Sequence, residues 1–535
     1  MKNLLVLLLL HLSTNWVRAD NHGCKSYKDI TICTQVNDSE FLKTVLQSLD
    51  TGSSLEINQC RLETIPPGLF PKNVTKLTIQ DCGIIGIERG AFADLNELEE
   101  LAIFLNSMHK LQSGVFEGIS SVKSISMFYC NIEDIEKGTF VGLHNLQNLD
   151  LTNNNISMLA DGVFEDLRSL ETLDLQNNRL AVLEEGSLRG LKQLNNLYLS
   201  RNSIANLPRK VFVDLNALQE LFLNYNKLQR LETGYFAGLS QLTHLYIKNN
   251  EISFIQPEVF QNLKTLQYLD LSYNLITPLD AMTFKGLQQL RDLILVNNAF
   301  AYIHPGTFKD LKLLQNLNLE YNNIETIETD TFDGLKQLKR LNLGNCIIRY
   351  LENQPFASLP YLDYLNLENN FITAIGNTTF KGLYLLGELY LPNNQLENLK
   401  PNTFKDLPNL ERLYLNRNNI RNIESSMFSG LIHLKVLNLD ANRIDRLPSH
   451  VFEQLTNLEI LSLDMNQIKL VEENAFQGLL KLKELNLQNN QLDYLEKGIF
   501  TDMPNVKLSL HGNKLSNVAM GEVFGNLGYD HKEED

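Results

Sequence analysis

Leucines and other large aliphatic residues recur along this chain as L-x-x-L-x-L-x-x-N-x-L; about eight residues later comes a large apolar residue and, three further on, another leucine. Residues 170–193, LETLDLQNNRLAVLEEGSLRGLKQ, carry the whole motif. It restarts at Leu194, Leu218 and Leu242 and then every 24 residues to Leu482; backward it runs through Leu146, Val122 and Leu98 to Val74. Eighteen units thus follow one another over 74–505 without an insertion or deletion. A fixed period of this size is the signature of a solenoid, in which each unit buries its apolar face against its neighbours.

Within a unit, the last two leucines of L-x-x-L-x-L alternate with polar residues, the period-two pattern of a strand buried on one face. Fifteen of the eighteen units place asparagine at the ninth position and three place cysteine. A buried amide with two donors and an acceptor suits a turn that must satisfy backbone groups of its own and the next coil, so the positions predict an asparagine ladder. The nineteenth position is phenylalanine in seventeen units and Leu188 in the other. Interiors tolerate changes of even one methylene poorly, so this row predicts an internal aromatic spine rather than a site. One coil alone buries too little apolar surface to offset the entropy of ordering it, so coils must fold stacked. Closely spaced strands on one side and bulkier return segments on the other bend the stack with the strands inside the curve.

The flanks depart from the period. Residues 1–19 have a basic start, an apolar run from Leu4 to Leu12 and small residues at Val17-Arg18-Ala19, the organisation of a secretory signal. The run is far shorter than the ~20 residues of a spanning helix. Residues 20–51 are expected to form an N-terminal cap with ITICTQV as a short strand; 52–73 form a first, shortened coil, 506–527 a degraded terminal coil and 528–535 an acidic tail. No later stretch is apolar enough to cross a membrane. The net charge of −16 argues against nucleic acid or anionic lipid as the main partner. Among the six cysteines, Cys24 and Cys33 precede the repeats, where an oxidising compartment favours a disulfide. Cys60, Cys82, Cys130 and Cys346 occupy the ladder position, where buried thiols are expected. For Cys60 and Cys82, on successive coils about 4.8 Å apart, a bond stays open.

These units resemble the 24-residue typical class of extracellular leucine-rich repeat proteins, found in Toll-type receptor ectodomains, the acid-labile subunit and chaoptin-like adhesion proteins. The resemblance implies an α/β-type leucine-rich repeat solenoid, or horseshoe. Its parallel β-sheet would be concave, with irregular or short-helical convex return segments and little regular helix. It implies roles in adhesion, extracellular signalling or innate immune recognition. Such proteins commonly end in a cysteine-rich cap, whereas no cysteine follows Cys346 here.

Chemistry is sparse. Asp150 and Asp174, like Asp440 and Asp464, occupy equivalent positions of neighbouring coils, a spacing open to glycoside hydrolysis or calcium; on an open sheet they read as solvated acidic surface. His244 beside Tyr246 has no nucleophile or metal-ligand spacing near it, and no zinc motif or phosphate-binding loop is present. No cofactor, metal or enzymatic activity is expected. Recognition is better supported, because the polar positions between strand leucines face outward and several carry aromatics. Tyr198, Phe222 and Tyr246 share one position in successive coils, flanked by Tyr225, Tyr268 and Tyr273. Tyr390 and Tyr414 form a second row, and Phe104, Leu105, Phe128 and Tyr129 an apolar third. Aromatic stripes of this kind are favoured at protein interfaces. N-x-[ST] acceptors at Asn37, Asn73, Asn155 and Asn377 lie off the outward strand positions, so glycans there would leave that face free. The expectation is a secreted, glycosylated protein that binds an extracellular protein through its concave face, with no membrane insertion and with homo- or hetero-oligomers open. A matrix or scaffold protein acting by assembly is the alternative.

Overall fold

The computed structural model describes residues 23–516, apart from 28, 37–38, 49–52, 278, 352–353, 501–502 and 504. The proposed signal, the acidic tail and the acceptor Asn37 lie outside the described residues. The chain forms two compact units, 1–221 and 222–535.

The first unit opens with a cap. Strand β1 (Cys24–Tyr27) pairs antiparallel with β2 (Ile30–Thr34), and a helix, α1 (Ser39–Ser48), follows. The sequence pattern indicated β2 but neither its hairpin partner nor the helix. Cys24 and Cys33 face each other across the hairpin and are disulfide-bonded, as expected. Strand β2 then pairs parallel with β3 (Ser54–Asn58), which joins the cap to the repeats. From there each coil adds one parallel strand in strict register: Leu149 lies opposite Leu173, and Leu173 opposite Leu197.

The second unit continues the same rule from His244–Tyr246 to Lys507–Ser509, with Leu245 opposite Leu269 and Leu485 opposite Leu508. Strands are mostly three residues long and buried at the middle one, so outward side chains flank a buried leucine. The return segments hold a feature the pattern does not announce. Two-residue parallel pairs, such as Thr326–Ile327 with Tyr350–Leu351, form small second sheets. Regular helix is scarce, as expected: in the return segments of the described residues, only Ser425–Phe428 forms a 3₁₀ turn.

The interior explains the invariance. Asn178 Nδ2 donates to the carbonyls of Leu151 and Leu175, and its Oδ1 accepts from the N–H of Ile156. The same triad recurs at Asn298, Asn418 and Asn490. The ladder therefore ties each coil to the preceding one, not to the next as the sequence reading had it, because the amide points back along the stack. Asn322 is an exception, since its Oδ1 is buried without a partner. Where cysteine substitutes, the thiol of Cys130 donates to the Ile103 carbonyl, while the Met108 N–H turns to the Cys130 carbonyl. All four ladder cysteines are free and buried, which settles the open question: the Cys60 N–H donates to Cys82 Sγ at 3.3 Å. The phenylalanine spine stacks ring on ring at 5.6 Å between Phe140 and Phe164 and 6.4 Å between Phe308 and Phe332. Phe70 of the shortened coil extends it, 6.0 Å from Phe92.

Candidate protein interface

With leucines turned inward, the strands leave two or three outward side chains per coil, and these are half-buried by their neighbours across the sheet. In the second unit Phe222 and Tyr246 lie in face-to-face contact, centroids 4.4 Å apart and planes within 4°. Tyr268 leans on Tyr246 at 5.0 Å, and the His244 ring lies 5.9 Å from Tyr268. Four rings thus form one continuous surface across three coils. Burial, reinforced by Asp270, pushes the Tyr268 hydroxyl up to about 12, so it stays a neutral hydrogen-bond donor at physiological pH. Asp270 is itself buried, hydrogen-bonded to the Ser272 N–H and hydroxyl.

Tyr225 and Tyr273 do not sit on strands. They occupy the turn after them, with left-handed φ of 56° and 55°, and are well exposed. That backbone region is most readily adopted by asparagine among non-glycine residues, and the same turn is asparagine at Asn249 and Asn297. A bulky aromatic there costs conformational energy without adding to the core. The Lys248 ammonium lies 4.9 Å from the centre of the Tyr273 ring, which ties the turn to the strand face. Tyr198 belongs to the first unit, half-buried, opposite Asp174 in register, and burial raises its hydroxyl above the usual range.

A second row is longer than the pattern suggested. Tyr390 and Tyr414 stack at 4.6 Å, and Tyr364 joins Tyr390 at 5.2 Å. The Arg340 guanidinium covers the other side of Tyr364 at 3.9 Å. Glu388 binds Arg412 at 2.9 Å and accepts from the Tyr390 hydroxyl at 3.0 Å. Tyr364 was legible: like Tyr268 beside Tyr246, it lies in an adjacent coil at the outward position two residues from that of Tyr390. In the first unit Phe104 and Phe128 stack at 4.6 Å, beside exposed Leu105 and Tyr129.

The acidic pairs differ from a solvated surface. Asp150 and Asp174 are in register, Ser126 donates to Asp150, and Asp174 is held by the backbone N–H and side chain of Gln176. Burial, then the neighbouring Asp150, pushes the Asp174 carboxyl up to about 6. Burial raises Asp440 likewise, with Asp464 contributing. No group of three or more histidine, cysteine or carboxylate side chains able to hold a metal occurs among the described residues. His244 is engaged with Thr243 at 2.9 Å. Of the acceptor asparagines, Asn73 and Asn377 are exposed and Asn155 half-buried, all outside the strands. No helix of the described residues is long and apolar enough to cross a membrane.

Register-locked parallel strands, a buried asparagine ladder and a phenylalanine spine define a repeat solenoid whose variable chemistry is confined to its surface. Overlapping matches to the Leucine rich repeat family model run from residue 72 to 515, and the chain belongs to that family. Among solved structures, it is similar to one determined as the Toll–Spatzle complex, a molecular hub in Drosophila development and innate immunity. There the identity is 19%, the TM-score 0.74, and the match covers 94% of this chain and 72% of that one. It is also similar to the TLR13–ssRNA13 complex, at 22% identity and TM-score 0.54 over 95% of this chain and 96% of the other. The Leptospira interrogans protein LIC12759 aligns at 24% identity and TM-score 0.55 over 88% and 98% of the two chains. Likeness at these identities defines the fold alone. No curated protein matches the sequence significantly.

Proposed function

We propose that this chain is a secreted recognition protein that binds an extracellular protein through the outward face of its parallel sheet, centred on Phe222, Tyr246 and Tyr268. The observation that carries the reading is the continuous aromatic surface of those three residues with His244, accessible on strands whose stability rests on the buried leucines instead. Stacked aromatics with limited side-chain freedom and one polar tip are the residue types that dominate protein interfaces. The bonded Cys24–Cys33 pair in the cap fits an oxidising, extracellular setting. One similar protein was solved with the protein Spatzle and another with single-stranded RNA. The net charge of −16 favours the protein partner for this chain, since an anionic strand would be repelled.

The test is affinity capture from extracellular fluid with the full chain and with a Phe222→Ala, Tyr246→Ala double variant. A partner retained by the wild type should bind the variant at least ~30-fold more weakly, the loss of a ~2 kcal/mol anchor. Undiminished binding by a variant with unchanged melting would remove the proposal.

A further inference from the structure

The tenth position of the repeat, just after the ladder asparagine, is glycine or polar in every regular coil except those starting at 266, 290, 338 and 362. There it is Leu275, Ala299, Ile347 and Phe371. Leu275 and Phe371 are exposed, as are Tyr302 and Tyr350 three positions further along their coils and Tyr321 in the preceding turn. The Arg349 guanidinium lies 5.4 Å from the Phe371 ring, so the tenth and twelfth positions of adjacent coils share one face. This flank is separate from the strand face, and its tenth position belongs to no packing requirement of the coil, because other coils fill it with glycine, serine, amides or charges.

We infer that this flank of the second unit is a two-fold interface with a second copy of the chain, its axis running along the coil direction between the coils that start at 314 and 338. The argument is self-complementarity. Such an axis lies in the contact plane, keeps each repeat position and reverses the order of coils, so that one patch meets itself. Phe371 then faces Ala299, Tyr302 faces Ala374 and Tyr350 faces Thr326. Ile347 faces Asn323, and Tyr321 faces Asn345. Each large side chain meets a smaller one, the condition for interdigitating without voids or clashes. At the twelfth position Glu325 of one copy faces Arg349 of the other, twice per dimer, and both side chains are exposed. No neighbouring axis does this: moved by half a coil toward the N-terminus, it sets Glu325 against the same residue of the other copy.

The area is sufficient. At roughly 200 Å² per aromatic side chain, the exposed parts of Tyr302 (46%), Tyr321 (52%), Tyr350 (64%) and Phe371 (39%) amount to about 400 Å². With Leu275 and the smaller residues between them the face reaches about 800 Å², what a specific interface covers on each partner. The net charge of −16 would oppose self-association through acidic surfaces, but this patch balances Glu325 with Arg349.

Sedimentation velocity of the full chain at micromolar concentration should show a dimer. Glu325→Arg and Arg349→Glu, both at exposed positions, should each weaken it by about tenfold or more through like-charge pairs. An equimolar mixture of the two variants should recover association, because in a mixed dimer each of the two facing pairs again joins one cation to one carboxylate. Ala299→Glu should weaken the dimer without lowering the melting temperature. A wild type that stays monomeric, a dimer indifferent to Ala299→Glu, or a mixture no stronger than the separate variants would overturn the inference.

Discussion

Two aromatic rows run along the second unit, and they teach opposite lessons. Inside, Phe284, Phe308 and Phe332 stack 6.1 and 6.4 Å apart, wholly buried. Outside, Phe222, Tyr246 and Tyr268 are packed closer, at 4.4 and 5.0 Å, yet half-exposed. The inner row repeats in every coil but one because any smaller ring leaves a void. The outer aromatics occupy only some coils because the sheet does not need them: the position of Phe222 and Tyr246 is aromatic again at Tyr390 and Tyr414 but is Asn318, Asn438 or Ser462 in other coils of the same unit. A residue type found everywhere in the repeat reports on packing, and the same type found locally is free of that requirement.

That contrast can be attacked from both sides. Phe308→Ala should cost about 3–5 kcal/mol, seen as a lower and broader thermal transition; a loss below about 1 kcal/mol would mean the spine is replaceable. Asn298→Ala follows, at about 2–4 kcal/mol, since it orphans the Leu271 and Leu295 carbonyls and the Ile276 N–H. Asp174 tests whether outward positions are merely wet. Its folded carboxyl is raised to about 6, above its unfolded value, so the folded state binds the proton more tightly. Stability should therefore be greatest below about pH 4 on this account and decline by roughly 2 kcal/mol as pH rises through 6. Asp174→Asn should flatten that slope in melts taken between those limits, and an unchanged slope would mark the group as solvated. The smallest effect belongs to Tyr246→Ala, within about 1 kcal/mol of wild-type stability, while partner binding falls far more.

The fold was legible to an unusual degree because its determinants recur. Leucine spacing, Asn178 and its equivalents, and the phenylalanine column each state the same geometry many times over. The cap hairpin partner Cys24–Tyr27 and the helix Ser39–Ser48 escaped because they occur once, outside any period. The backward direction of the ladder escaped because a period carries no sense along its axis. The site was legible only in part. Tyr225 and Tyr273 stood out as aromatics, but their place on a left-handed turn needs the backbone. Arg340 over Tyr364 needs the distance between two coils, which spacing alone does not supply.

The backward-pointing amides give the solenoid a polarity. Where asparagine fills the ladder with its oxygen paired, a coil closes an N–H of its predecessor, as Asn490 does for Ile468 and Asn466 for Ile444. Separating two coils breaks the same bonds from either side, but it leaves different orphans: an N–H and a carbonyl on the earlier coil, and the asparagine amide on the later one. Pulled from the C-terminal side in a force spectrometer, the chain should release coil after coil in steps of about 80 Å of contour, the extended length of one 24-residue repeat. Pulled from the other side, the steps should have the same length, since the same ladder bonds join each pair of coils. A ladder seen first as a device for burying amides also sets the size of the step in which the molecule comes apart.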